Sequence, residues 1–149
     1  MPSFEHTRSI AIAAPPAVVH ALVDDLHAWV KWSPWEGLDT HMTRTYDGPE
    51  KGAGARYAWA GKKSGQGSMN ITGTTADRVD IELDFVKPFK AHNKVVFRFD
   101  SDADGTRVTW TMSGTRNVLL AIMGTLFFDT LIKKDFDKGL AKLKAVAEA

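Results

Sequence analysis

Strict alternation marks the middle of the chain. Val79, Ile81, Leu83 and Phe85 are separated by Asp80, Glu82 and Asp84. Val95, Phe97 and Phe99 alternate with Val96, Arg98 and Asp100, and Val108, Trp110 and Met112 alternate with Arg107, Thr109, Thr111 and Ser113. A period of two sends successive side chains to opposite faces of a strand. These runs therefore predict a sheet with one large apolar face and one solvated face, and the apolar face needs a cover.

The flanking pattern supplies the other elements. Residues 4–13 alternate with Ile10 and Ile12 on one face, which predicts a first strand. Pro15 and Pro16 stop it and, because proline is tolerated in the first helical turn, open a short helix over PPAVVHALVDD. Asp24 is the expected N-cap of a second short helix, DLHAWVKW, which Pro34 ends at Ser33. From 41 to 115 the segments HMTRTY, ARYAWA, QGSMNITGTT, VDIELDF, NKVVFRF and TRVTWTMSG read as six strands joined by short turns. Gly65, Gly67 and Gly73 predict a sharp bend or bulge in the third of these.

Phe128, Ile132, Phe136, Leu140, Leu143 and Ala147 recur every three to four residues, the spacing of an amphipathic C-terminal helix. Gly139 inside it costs about 1 kcal/mol against alanine and marks a close approach to the sheet. The expected fold is α+β, a curved seven-stranded antiparallel sheet wrapped on one long helix, in a single domain over 1–149. One helix cannot fill the concavity of such a sheet, so an apolar cavity is expected between them, closed at one end by the short helices. Parity puts Tyr46, Tyr57, Trp59 and Met69 on its wall, with Leu83, Phe85, Phe97 and Phe99 beside them. Trp110 and Met112 continue the wall, and Phe128 and Ile132 face it from the helix.

Composition narrows the function classes. Nineteen basic and eighteen acidic residues leave a net charge of +1, which gives no electrostatic case for nucleic acid. The absence of cysteine removes disulfides, thiolate metal sites and a cysteine nucleophile, and fits a cytoplasmic setting. The start carries charge where a signal peptide needs an apolar core. The most apolar run, Val118 to Phe128, is well short of the ~20 residues of a membrane-spanning helix, so no stable membrane insertion is expected. It precedes the amphipathic spacing and suits a lid with Gly124 as a flexible point, a homodimer surface, or core.

Three of the five tryptophans, Trp29, Trp32 and Trp35, fall within seven residues. They anchor the short helices in the core, or Trp32 and Trp35 line the cavity entrance; with no basic groove, base stacking is disfavoured. His20, Asp24 and His27 have a spacing that invites a metal, but the helix break at Asp24 would scatter them and no zinc-type motif is present. No metal and no cofactor is expected. Asp80, Glu82 and Asp84 share the solvated face, and no serine sits in a nucleophile motif. Parity also turns His6, Arg8 and Arg44 inward. A buried arginine would need a ligand carboxylate, a phenolate or a protein carboxylate as partner; otherwise Arg8 and Arg44 keep their heads in water at the rim.

The stretches RSIAIAAPPAVVHALVDDLHAWVKWSPW, TYDGPEKGAGARYAW and GTRVTWTMSG, with FDKGLAKLK near the end, resemble bacterial polyketide cyclase/dehydrase-type proteins of the START-like (SRPBCC), helix-grip superfamily, which includes the birch-pollen-allergen fold. The resemblance covers nearly the whole chain and implies a pocket for a small hydrophobic ligand. Members range from lipid carriers through aromatase/cyclases to co-chaperones. Residues of the type of Tyr46, Tyr57, Trp59, Trp110 and Arg44 orient a poly-β-ketone and assist enolisation in the cyclases, though no position-by-position motif is matched. Three functions stay open: binding, transport or sequestration of a hydrophobic or aromatic molecule; cyclase or dehydratase chemistry; and a co-chaperone-like interaction module.

Overall fold

The computed structural model describes residues 3–34, 42–62, 65–87, 90–115 and 118–149, with the side chains of 3, 115 and 118–131 outside that description. Strand β1 (Ser3–Ile12) leads to helix α1 (Pro16–Val23) and a short 3-10 helix, α2 (Leu26–Lys31). Six strands follow: β2 (Thr43–Asp47), β3 (Arg56–Gly61), β4 (Gly65–Thr75), β5 (Arg78–Lys87), β6 (Ala91–Asp102) and β7 (Gly105–Thr115). Helix α3 (Val118–Glu148) closes the chain. All seven strands join one antiparallel sheet in the order β1-β7-β6-β5-β4-β3-β2. This is the curved, one-sided sheet and C-terminal helix of a helix-grip fold.

The alternation reads out directly as burial. Val79, Ile81, Val95, Phe97, Phe99, Val108 and Trp110 are buried, whereas Arg98, Asp100 and Arg107 on the other parity are exposed. The glycine-rich strand carries two register shifts, at Gln66/Gly67 and Ile71/Gly73, where the sequence predicts a bend. Asp80 and Asp84 lie on the outer face, paired with Arg78 and His92.

Three details differ from the sequence reading. Asp24 does not cap the second short helix: its N–H donates to His20 O at 2.9 Å and it closes α1. Asp25 takes the N-cap, its Oδ1 accepting from His27 N–H at 2.9 Å. With two consecutive aspartates, the helix that ends first decides which of them is left extended to cap the next. The second helix is also 3-10, a geometry that eclipses residues three apart, so Trp29 and Trp32 lie with ring centroids 4.5 Å apart. Finally, the run 118–128 is the first third of α3 itself, in which Gly124 is a helical residue, and not a segment ahead of the helix. A stretch whose one polar side chain is Thr125 has no polar face to reveal its period, which is why the spacing shows only from Phe128 onward.

Helix α3 lies chiefly along β1, with smaller contacts to α1 and the 3-10 turn. Its own Phe136, Leu140 and Leu143 are fully buried. Gly139 does mark a close approach: a Cβ there would come within 2.8 Å of Pro34 Cδ and 3.1 Å of Trp110 Cζ3.

Candidate functional site

The inner face divides into a packed part and a partly open part. The packed part is aromatic and closed. Trp32, Phe97, Phe99 and Trp110 are at most 1% exposed, and Trp29 is 4% exposed. Trp32 meets Phe97 and Trp110 edge-on at 5.9 and 5.8 Å, and Trp110 stacks on Phe136 at 4.1 Å. The indole N–H groups of Trp29 and Trp32 donate to Val23 O and Leu22 O, each at 2.8 Å. A buried indole needs such an acceptor, and here both are carbonyls at the end of α1. The tryptophan cluster therefore fastens the two short helices to the sheet, one of the two roles the sequence offers, and Trp32 is enclosed by neighbours rather than open at an entrance. Trp35 lies outside the described residues, as does the side chain of Phe128.

The other arm of the sheet, β2 to β5, carries a different set. Tyr46, Tyr57, Trp59 and Phe85 are half-buried and pack against the edge of the core. They form a continuous strip: Tyr46 to Tyr57 at 5.1 Å, Tyr57 to Trp59 at 6.0 Å, and Trp59 to Phe85 at 5.8 Å between ring centroids. The bend in β4 makes room for it. A Cβ on Gly67 would come within 2.7 Å of the Trp59 indole, so the ring lies directly over that glycine. At the outer end of the strip the His27 ring stacks on Tyr46 at 3.9 Å and 18°. Asp25 orients that imidazole, with its Oδ1 3.2 Å from Nδ1. The short helix thus reaches across to β2 at the outer end of the strip.

Met69, Leu83 and Met112 lie between the two parts, 9%, 7% and 6% exposed, and Ile132 is half-buried on the facing helix. Arg8 sits at the rim, its Nε 3.4 Å from Asp137 Oδ1 on α3, with both side chains about half exposed. A protein carboxylate is therefore its partner. Arg44 is exposed on β2. Sequence reasoning did not single out Asn93, which is 5% exposed at the inner start of β6, and gave His6, 3% exposed on β1, no more than its inward parity. The signal for both was the same parity that placed Val95 and Ile10. Among the described residues no group of three or more His, Cys, Asp or Glu could hold a metal ion. No described helix is long and apolar enough to cross a membrane.

The inner face thus pairs a half-open aromatic strip with a closed aromatic core. The same fold occurs in solved structures of low sequence identity. The di-domain ARO/CYC BexL aligns with 99% of this chain and 50% of its own, with a TM-score of 0.75 at 17% identity. The Aha1 dimer from Colwellia psychrerythraea aligns over 99% of this chain and 97% of its own, at 0.66 and 16%. A Staphylococcus aureus protein of unknown function aligns over 98% and 94%, at 0.73 and 11%. No curated protein matches in sequence. The family described as polyketide cyclase / dehydrase and lipid transport matches residues 3–148, and the chain belongs to that family.

Proposed function

We propose that this protein binds and carries, or sequesters, a small hydrophobic or aromatic molecule on the inner face of its sheet. The observation that carries the reading is the strip Tyr46–Tyr57–Trp59–Phe85, whose rings are neither packed away nor scattered on the outer surface. Large rigid rings offer much contact area at small entropic cost, and ligand sites are built from such walls with a few polar groups. The family description supports the reading by naming lipid transport beside cyclase and dehydrase activity.

Native mass spectrometry of freshly purified protein tests it, together with calorimetric titration of naphthalene-type aromatics. A bound small molecule released on denaturation, or saturable titration, is the expected result. An empty protein that also fails to bind the aromatics would overturn the proposal. A cyclase or dehydratase reading is favoured by one feature, the two phenols of Tyr46 and Tyr57 set side by side on the strip. It requires turnover of a poly-β-ketone that falls in Tyr57→Phe and Arg44→Ala. Unchanged turnover in both variants would remove the roles given to those residues.

A further inference from the structure

The stripe on the inner face of β6 is Asn93, Val95, Phe97, Phe99, and all four residues are buried. Asn93 interrupts an otherwise apolar series. Its cross-strand neighbours are Leu83 on β5 and Gly114 on β7, and Gly114 pairs in turn with Phe4 on β1. The Asn93 Oδ1 has no hydrogen-bond partner among the described residues and no contact with solvent. Buried polar groups are nearly always satisfied in folded proteins, so an orphan of this kind calls for a cause.

Nothing among the described residues satisfies that oxygen, yet its surroundings are fitted to it. A Cβ on Gly114 would overlap Asn93 Oδ1 and approach Phe4 Cε1 to 3.2 Å. The carboxamide thus occupies the space that any larger residue at 114 would take. Its position also relates it to the aromatic strip. Phe85, the inner end of that strip, pairs with Ala91, two residues along β6 from Asn93 and on the same face. A molecule lying along Tyr57, Trp59 and Phe85 would have its leading end at the β5–β6 seam, one same-face position from Asn93.

We infer that Asn93 is the polar anchor of the inner site, and that the molecule bound there carries a hydroxyl on its buried end. The inference rests on the ligand-binding reading above and names the chemistry that site selects. A hydroxyl both donates and accepts, so it satisfies the orphaned oxygen and serves either end of a carboxamide. An ether of the same skeleton cannot donate, and a plain hydrocarbon can do neither. Sites built to hydrogen-bond a hydroxyl discriminate against analogues that lack it, because the protein group is otherwise left unpaired.

Calorimetric titration of the full chain with naphthol, its methyl ether and naphthalene tests this directly. Wild type is expected to bind naphthol roughly tenfold more tightly than the ether, the scale of one well-made hydrogen bond. Asn93→Leu, close to the carboxamide in shape, is expected to erase that preference while keeping affinity for naphthalene. Asn93→Ala gives the same readout if the leucine variant folds poorly. The ligand-free leucine variant should melt no lower than wild type, since it removes an unsatisfied buried group. Equal binding of naphthol and ether by wild type, or a preference that survives in both variants, would overturn the inference and leave the ligand-binding reading standing. If wild type binds none of the three, the reading fails and the inference with it.

Discussion

The indole of Trp110 on β7 and the ring of Phe136 on α3 are stacked face to face, 4.1 Å apart at 9°. Phe97, the cross-strand partner of Trp110 on the same face of the sheet, continues the stack at 4.9 Å. Each of these rings is at most 1% exposed, so this column is the main rivet between helix and sheet. Phe136→Ala removes one member and leaves a cavity that rigid neighbours cannot fill. The expected loss is about 3–5 kcal/mol, read as a lowered midpoint in denaturant with an unchanged slope. A loss under about 1 kcal/mol would mean that the helix is held elsewhere.

Gly139 faces the same column. Replacing it with alanine gains about 1 kcal/mol of helix propensity. The new methyl would also sit 2.8 Å from Cδ of Pro34, a ring atom with little freedom, and 3.1 Å from the buried Trp110. Overpacking of a rigid site typically costs about 1–3 kcal/mol, which outweighs the gain. Gly139→Ala is therefore expected to lower the melting temperature, and Gly139→Val to lower it further. A higher melting temperature for the alanine variant would show that Pro34 shifts freely.

The inner face was legible in part, and the limit has a physical origin. Alternation on β5, β6 and β7 assigned faces correctly because one side of the sheet is wet and the other dry. It could not separate Trp110 and Phe97, sealed under Phe136, from Trp59 and Phe85, left half-open, because parity fixes the face and says nothing of where along the sheet the helix lies. The cap at Asp25 was missed for a local reason: either aspartate could serve until the end of α1 was known. Asn93 was passed over because an asparagine at the start of NKVVFRF looks like a turn residue, and only burial reveals it as a polar break in an apolar stripe.

Trp59 offers a test in which stability and binding part company. Its ring rests on Gly67 and touches Tyr57 and Phe85, but it is half-buried and outside the Trp110 column. Trp59→Ala should weaken naphthol binding about tenfold or more, since one aromatic wall contributes on the order of 1 kcal/mol beyond its buried area. The melting temperature should fall less than in Phe136→Ala. Unchanged affinity would place the bound molecule away from the strip.

The carboxylate of Glu148, at the C-terminal end of α3, accepts a hydrogen bond from the Ala13 N–H at 2.8 Å and pairs with Lys144. The Lys144 hydrogen bond first, and the Ala13 N–H second, hold its pKa below the ordinary 4.5. A carboxyl whose pKa is lower folded than unfolded binds fewer protons in the native state. Its stabilising contribution is then complete above the unfolded value and disappears as pH falls through the lower, folded value. Melting curves of wild type and Glu148→Gln should accordingly differ at neutral pH, with wild type higher. That difference should shrink below pH 4.5 and be small, because both partners lie at the surface. Added salt should reduce the Lys144 share of it. A difference that stays constant from neutral to acidic pH would mean that the glutamate contributes by packing alone, and that the bond from Ala13 to α3 does not depend on charge.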